Sequence, residues 1–329
     1  MNKFLFTFFL AILGTQALAD TETQDKLKKN HFDLSGSLIP VSEIHQGGPP
    51  RDGIPSIDSP EYLPISKVDY LKDDDLVLGL ELNGIAKAFP IRILIWHEIV
   101  NTEFEQDPVV VTFCPLCGTG MAFLSQATAT APAEKGKGEQ VIDFGVSGLL
   151  HNNDMLMYDR QTDSLWSQIP GKAVSGPMAG ARLKRLSVTH IPWTQWKREH
   201  PKGEVLSTKT GALRDYNDDP YKGYDKIEKL LFPISREDKR YTNKELVLGL
   251  EQNGKSKAWP ISELTKKTKN SKATVITDSF DGKPITINFD PKSKTATVHD
   301  KDGNVLPATR AFWFAWFGFY PDTDVYTAR

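Results

Sequence analysis

The chain has 329 residues, with 40 Lys and Arg against 42 Asp and Glu, for a net charge of −2. Near balance with dispersed basic residues excludes a nucleic acid or an acidic membrane surface as the implied partner. Two cysteines exclude a disulfide-rich scaffold, and the length permits a large core and two modules.

In chain order, Met1-Asn2-Lys3 is a short basic start, Phe4 to Leu13 is apolar, and Ala17-Leu18-Ala19 fits a small-x-small cleavage site. That is the layout of a secretory signal peptide, so a mature protein beginning at Asp20 is expected in the periplasm or secreted, with no stable membrane span after processing. An N-terminal extension over 20–60 follows. Leu76 to Glu81 alternates as a strand, Asn83-Gly84 supplies a tight hairpin turn, and Ile85 to Phe89 returns. Pro90 opens a helix expected to run from Ile91 to Val100. Short strands are predicted at Val109–Phe113, Met121–Leu124, Val141–Val146 and Met155–Asp159, with a solvent loop from Ala127 to Gln140. Trp193 to His200 reads as a helix stopped by Pro201, and Gly203 to Asp225 as irregular connection.

Residues 243–264 then repeat residues 73–94 with thirteen identities in twenty-two positions at a constant offset of 170. Asn253-Gly254 and Pro260 take the roles of Asn83-Gly84 and Pro90. The expected fold is therefore α+β and β-rich, with two copies of a strand-hairpin-helix-strand unit packed as a pseudo-repeat. The first module is expected at 61–225 and a second, degenerate one at 226–329.

Both cysteines lie in Val111-Thr112-Phe113-Cys114-Pro115-Leu116-Cys117-Gly118. A disulfide between them closes so small a loop that chain entropy gives only about 2 kcal/mol before ring strain. A thioredoxin-like dithiol needs its first cysteine at a helix N-terminus, and Gly118-Thr119-Gly120 is a poor helix start. Cys-Pro-x-Cys-Gly between two strands is similar to the metal knuckle of rubredoxins and zinc ribbons, where glycine lets backbone amides face sulfur. With no further cysteine in the chain, other ligands must be histidine, carboxylate or methionine, or come from a second subunit. His97 is the leading candidate, because the second copy has Lys267 in its place and Asp290 and Ser293 in place of Cys114 and Cys117. A Cys114–Cys117–His97 set suits Cu or Zn with one position open. His151 is the next candidate. Glu98 and Arg160 are candidates to assist chemistry. A periplasmic thiol-disulfide oxidoreductase, with Cys114 attacking and Cys117 resolving, is the alternative.

WHEIVN, VTFCPLCGTGMAF, VSGLLHNNDMLMYDRQTDSLWSQ and FWFAWFGFYPDT, in that order, resemble the bacterial DUF 3179 family over residues 50 to 326. The resemblance implies an exported or envelope-associated protein without assigning an activity. It draws attention to Asp154, Tyr158, Asp159, Arg160, Trp166, Ser167 and Gln168. At His151 the family pattern implies a tyrosine or arginine, which lowers His151 as a ligand. Arg160 is read as pairing with Asp154 or with an anionic ligand, and Phe312 to Tyr320 as core packing or a dry aromatic wall beside the metal.

Overall fold

The computed structural model describes residues 27–128, 138–268 and 272–328. The signal-peptide reading and the middle of the Ala127–Gln140 loop lie outside the described residues. Strand occupies 42% of the molecule and helix 12%, and five sheets of four or five strands form a five-bladed β-propeller. This corrects the expected α+β arrangement of two strand-hairpin-helix-strand units. The hairpins do not close on their own helices as packed units; each is one part of a larger blade.

The reason lies in what the hairpins pair with. Asn83 and Gly84 take left-handed φ values of 54° and 77°, closing Leu76–Leu82 onto Ile85–Pro90. This hairpin then gains Val188–Pro192 antiparallel on one side and Glu204–Leu206 parallel on the other, completing blade 1 with Tyr62–Pro64 at its edge. Blade 2 is Ile99–Phe104, Asp107–Cys114, Thr119–Leu124 and Arg185–Leu186. Blade 3 is Phe144–His151, Asp154–Asp159, Leu165–Ser167 and Lys172–Ala173, with Ile44–Gln46 of the N-terminal extension as fifth strand. Blade 4 is Leu246–Gln252, Lys255–Pro260, Thr309–Phe312 and Asp324–Val325, and blade 5 is Thr274–Phe280, Lys283–Asp290, Thr295–His299 and Val305–Leu306.

The sequence repeat maps onto the equivalent hairpins of blades 1 and 4. The likeness continues beyond it, because blades 4 and 5 reproduce the pairing of blades 1 and 2. Helices α1 (Ile91–His97), α2 (Trp193–Glu199), α3 (Ile261–Lys266) and α4 (Trp313–Phe319) keep this correspondence. Trp193-x-x-Trp196 on α2 matches Trp313-x-x-Trp316 on α4, at an offset of 120 rather than 170. Each second tryptophan packs on a strand glycine. A Cβ at Gly79 would lie 2.1 Å from Trp196 Cζ3, and one at Gly249 2.3 Å from Trp316 Cε3. The fifty extra residues in the first copy are accounted for by blade 3, which has no counterpart in the second.

Helix α1 is shorter than expected, ending at His97 rather than Val100. Glu98 turns left-handed at φ 58°, a conformation costly for a residue that is neither Gly nor Asn. Its N–H still caps Leu94 O, and its own carbonyl accepts from Phe113 N, so the chain leaves the helix directly into blade 2. The strand expected at Val141–Val146 is displaced C-terminally, to Phe144–His151. No described helix is long and apolar enough to cross a membrane.

Candidate metal centre

The last residue of one strand, Cys114, pairs with the first residue of the next, Thr119, leaving Pro115 to Gly118 as the turn. Gly118 closes it at φ 64°, and a side chain there would meet the Phe312 ring at 3.2 Å, so the position requires glycine on both counts. Phe312 N–H donates to Cys117 O at 2.8 Å, so blade 4 seals the turn from outside. Cys114 is 2% and Cys117 0% exposed. The two are free thiols.

Opposite them stands the tip of the first hairpin of blade 3. Asn152 and Asn153 take φ values of 52° and 62°, the left-handed pair of a tight turn. Such tips normally face water, but this one is buried: Asn152, Asn153 and Asp154 are each 2% exposed or less. The amides are occupied structurally. Asn153 accepts from Phe232 N and donates to Phe232 O, and Asn152 accepts from Ser235 N. This holds the tip in place, with Cys114 Sγ donating to Asn153 O at 3.6 Å.

The result is a buried group of Cys114, Cys117 and Asp154 whose ligand atoms lie within 4.8 Å of one another and that could hold a metal ion. Ligands about 2.0–2.3 Å from a common tetrahedral centre stand some 3.3–3.8 Å apart, so the spacing is compatible with one ion. Asp154 Oδ2 accepts from Ile169 N at 3.0 Å, whereas Oδ1 is buried without a partner. A buried carboxylate with one unpartnered oxygen, grouped with two thiols, fits a ligand set, since a buried acceptor is otherwise satisfied.

The electrostatics agree. Burial pushes Asp154 up to about 8, against backbone N–H groups that lower it and the Glu98 charge that raises it further. Burial, the hydrogen bond to Cys114 and the charges of Cys114 and Asp154 push the Cys117 thiol well up, and only Lys244 opposes them. Lys244 is itself buried, donating to Tyr224 O and Ile227 O over the Tyr224 ring, and desolvation brings it down to about 8. Two thiolates, one carboxylate, a divalent cation and the Lys244 ammonium sum to zero charge. Without the cation, burial favours the protonated forms of Asp154 and Cys117.

His97 is not part of this group. Its Nδ1 is 2.7 Å from Pro55 O and its Nε2 is 2.7 Å from Tyr216 Oη, so both ring nitrogens are occupied by a fully satisfied buried histidine. His151 pairs with Glu43 at 3.1 Å. Arg160 does not meet Asp154 either; it donates to Tyr158, Ser56 and Asp58, tying residues 52–58 to blade 3. Glu98 does reach the site electrostatically. Burial alone pushes its carboxyl up to about 8, and its charge acts on both Asp154 and Tyr221. Gln168 serves as a clamp, donating to Thr112 Oγ1 and Thr119 O and accepting from Thr119 Oγ1, which fixes blade 3 to the cysteine turn.

Asp154 as a candidate ligand was not apparent from sequence, where it reads as a partner for Arg160. Tyr221 and Tyr224 likewise read as part of an irregular connection. The available signal was an Asn-Asn turn followed by Asp inside an otherwise apolar run from Leu149 to Met157. The dithiol has none of the usual activation of a redox pair: no helix starts after it, both sulfurs are buried, and the Cys117 thiol is raised rather than lowered.

A family described as protein of unknown function (DUF3179) matches residues 51–323, and the chain belongs to it. No curated protein and no solved structure matches the chain.

Proposed function

For this DUF3179 member we propose an exported metal-binding protein that holds one zinc ion through Cys114, Cys117 and Asp154. The observation that carries the reading is the buried cluster of two free thiols and the Asp154 carboxylate, one oxygen of which has no hydrogen-bond partner. The donor set favours Zn(II) over Cu(I), because a carboxylate is a poor ligand for a soft monovalent ion. A zinc ion there would supply Lewis acidity beneath the cysteine turn. Glu98, whose carboxyl burial raises to about 8 and whose charge acts on Asp154, is the group we assign to hold or release a proton near the cluster. Export rests on the basic, apolar and small-residue pattern of residues 1–19.

The test is metal content after anaerobic purification and zinc loading, with thiols titrated in parallel. Wild type and His97→Ala should retain close to one zinc per chain. Cys114→Ser, Cys117→Ser and Asp154→Asn should each lose it. Absence of zinc in wild type, together with a reversible dithiol, would favour the oxidoreductase instead.

A further inference from the structure

Beside the cysteine turn lies a cavity of about 290 Å³, walled by Pro115 and Gly118 of the turn, by Tyr221, Tyr224 and Phe312, and by Arg310. This is the lower end of small-molecule pocket sizes. Its apolar wall comes from blades 1, 2 and 4 and from helix α1, including Leu76, Ile91 and Phe113. Arg310 has no acidic partner and donates no side-chain hydrogen bond among the described residues, and its Nη1 is buried and unpartnered. Desolvation alone brings its guanidinium down to about 10. The nearest imidazole gives it nothing: His190 Nε2 accepts from Gly120 N at 3.2 Å and is held neutral by burial and by the Arg310 charge.

The register explains why these two side chains meet. Arg310 pairs opposite Leu248 in blade 4, and His190 opposite Leu78 in blade 1, positions related by the repeat offset of 170. Duplication thus brings two equivalent residues to one place, and one copy has become an unpaired cation. Arg310 as a whole is half-buried, and a largely desolvated cation without a partner is costly to keep and is retained where a ligand supplies the missing charge. Tyr224 Oη, also buried without a partner, offers a second polar contact. Asp219 and Asp225 also line the cavity and are exposed, so a dianion meets repulsion at the mouth.

We propose that this cavity binds a small organic monocarboxylate, its carboxylate on the Arg310 guanidinium and its apolar body against Phe113 and Phe312, with its far end reaching the cysteine turn. As a substrate site it rests on the metal reading; as a binding site it stands without it. Benzoate and 3-phenylpropanoate serve as probes, benzamide as the neutral isostere and phenyl phosphate as the dianion, each titrated calorimetrically against zinc-loaded wild type, Arg310→Met and Asp154→Asn. Wild type should bind a carboxylate probe at least tenfold more tightly than benzamide or phenyl phosphate. Arg310→Met should bind at least tenfold more weakly than wild type while melting at the same or a higher temperature, since an unpaired buried charge has been replaced by an apolar side chain. Asp154→Asn should still bind the probe even though it has lost zinc, which separates failure of this proposal from failure of the metal site. Equal binding of carboxylate and benzamide, no binding of any probe, or an Arg310→Met protein that melts lower and binds as wild type would overturn it.

Discussion

Two turns of the molecule are built on one template and do opposite things. In blade 2 the chain runs Cys114-Pro115-Leu116-Cys117-Gly118-Thr119, and in blade 5 it runs Asp290-Pro291-Lys292-Ser293-Lys294-Thr295, with the same strand pairing at both ends. Both close with a left-handed fifth residue, Gly118 at φ 64° and Lys294 at φ 56°. The blade 5 turn satisfies itself: Asp290 accepts from Lys292 N, and Ser293 Oγ accepts from Thr295 N. Lys294 tolerates the strained φ because its side chain is exposed, whereas Gly118 lies under Phe312. What separates them is what covers them. Blade 3, present in the first copy alone, brings Asp154 onto the cysteine turn, and among the described residues no carboxylate joins the blade 5 turn in such a group. A duplicated turn gains a candidate site where an inserted blade closes over it.

The comparison breaks most sharply by removing ligands. Asp154→Asn or Cys117→Ser should weaken zinc binding at least hundredfold, about 2.7 kcal/mol, by competition against a chelator of known affinity. Asp290→Asn and Ser293→Ala should leave zinc affinity unchanged. A graft sharpens the same point: Asp290→Cys with Ser293→Cys in a Cys114→Ser background restores the dithiol without a facing carboxylate. It should bind zinc at least hundredfold more weakly than wild type, and wild-type affinity in this graft would show that Asp154 is dispensable.

Smaller effects probe what the copies share. Gly79→Ala and Gly249→Ala should each lower stability by about 3 kcal/mol in denaturant unfolding, because the added carbon overlaps a tryptophan ring. Gln168→Ala should cost about 2 kcal/mol, since it strands the Thr112 and Thr119 hydroxyls beneath the cysteine turn. The pH dependence follows from the raised carboxyls. Asp154 and Glu98 have folded values near 8, above their ordinary 3.8 and 4.5. Their protonated forms favour the folded state, so this contribution is fully present below pH of about 4 and is lost as pH rises through about 8. Chelator-treated protein should therefore lose melting temperature across that window, and Asp154→Asn should flatten the loss. Zinc should reverse it, because metal binding displaces the same protons.

Much of the local structure was legible because its signals are local. Asn83-Gly84, its repeat at Asn253-Gly254 and the helices after Pro90 and Pro260 follow from turn and cap chemistry, and the spacing of the cysteine turn pointed to a paired-thiol site. The propeller was not legible. Glu204–Leu206 joins Ile85–Pro90 in parallel from more than a hundred residues away, and hydrophobic alternation in a hairpin does not say which third strand will lie beside it. The same limit hid Asp154. Its role depends on blade 3 folding onto blade 2, whereas His97 lay nearby in sequence and was absent from the second copy. That correlated loss was real in the sequence, yet His97 spends both ring nitrogens on Pro55 and Tyr216.

X-ray absorption at the zinc edge of the loaded protein tests the central claim most directly. The spectrum should show two sulfur scatterers at about 2.3 Å and one or two oxygen scatterers at about 2.0 Å, with no imidazole outer-shell signature and loss of an oxygen scatterer in Asp154→Asn. An imidazole signature that disappears in His97→Ala, or a zinc shell without sulfur, would contradict that claim.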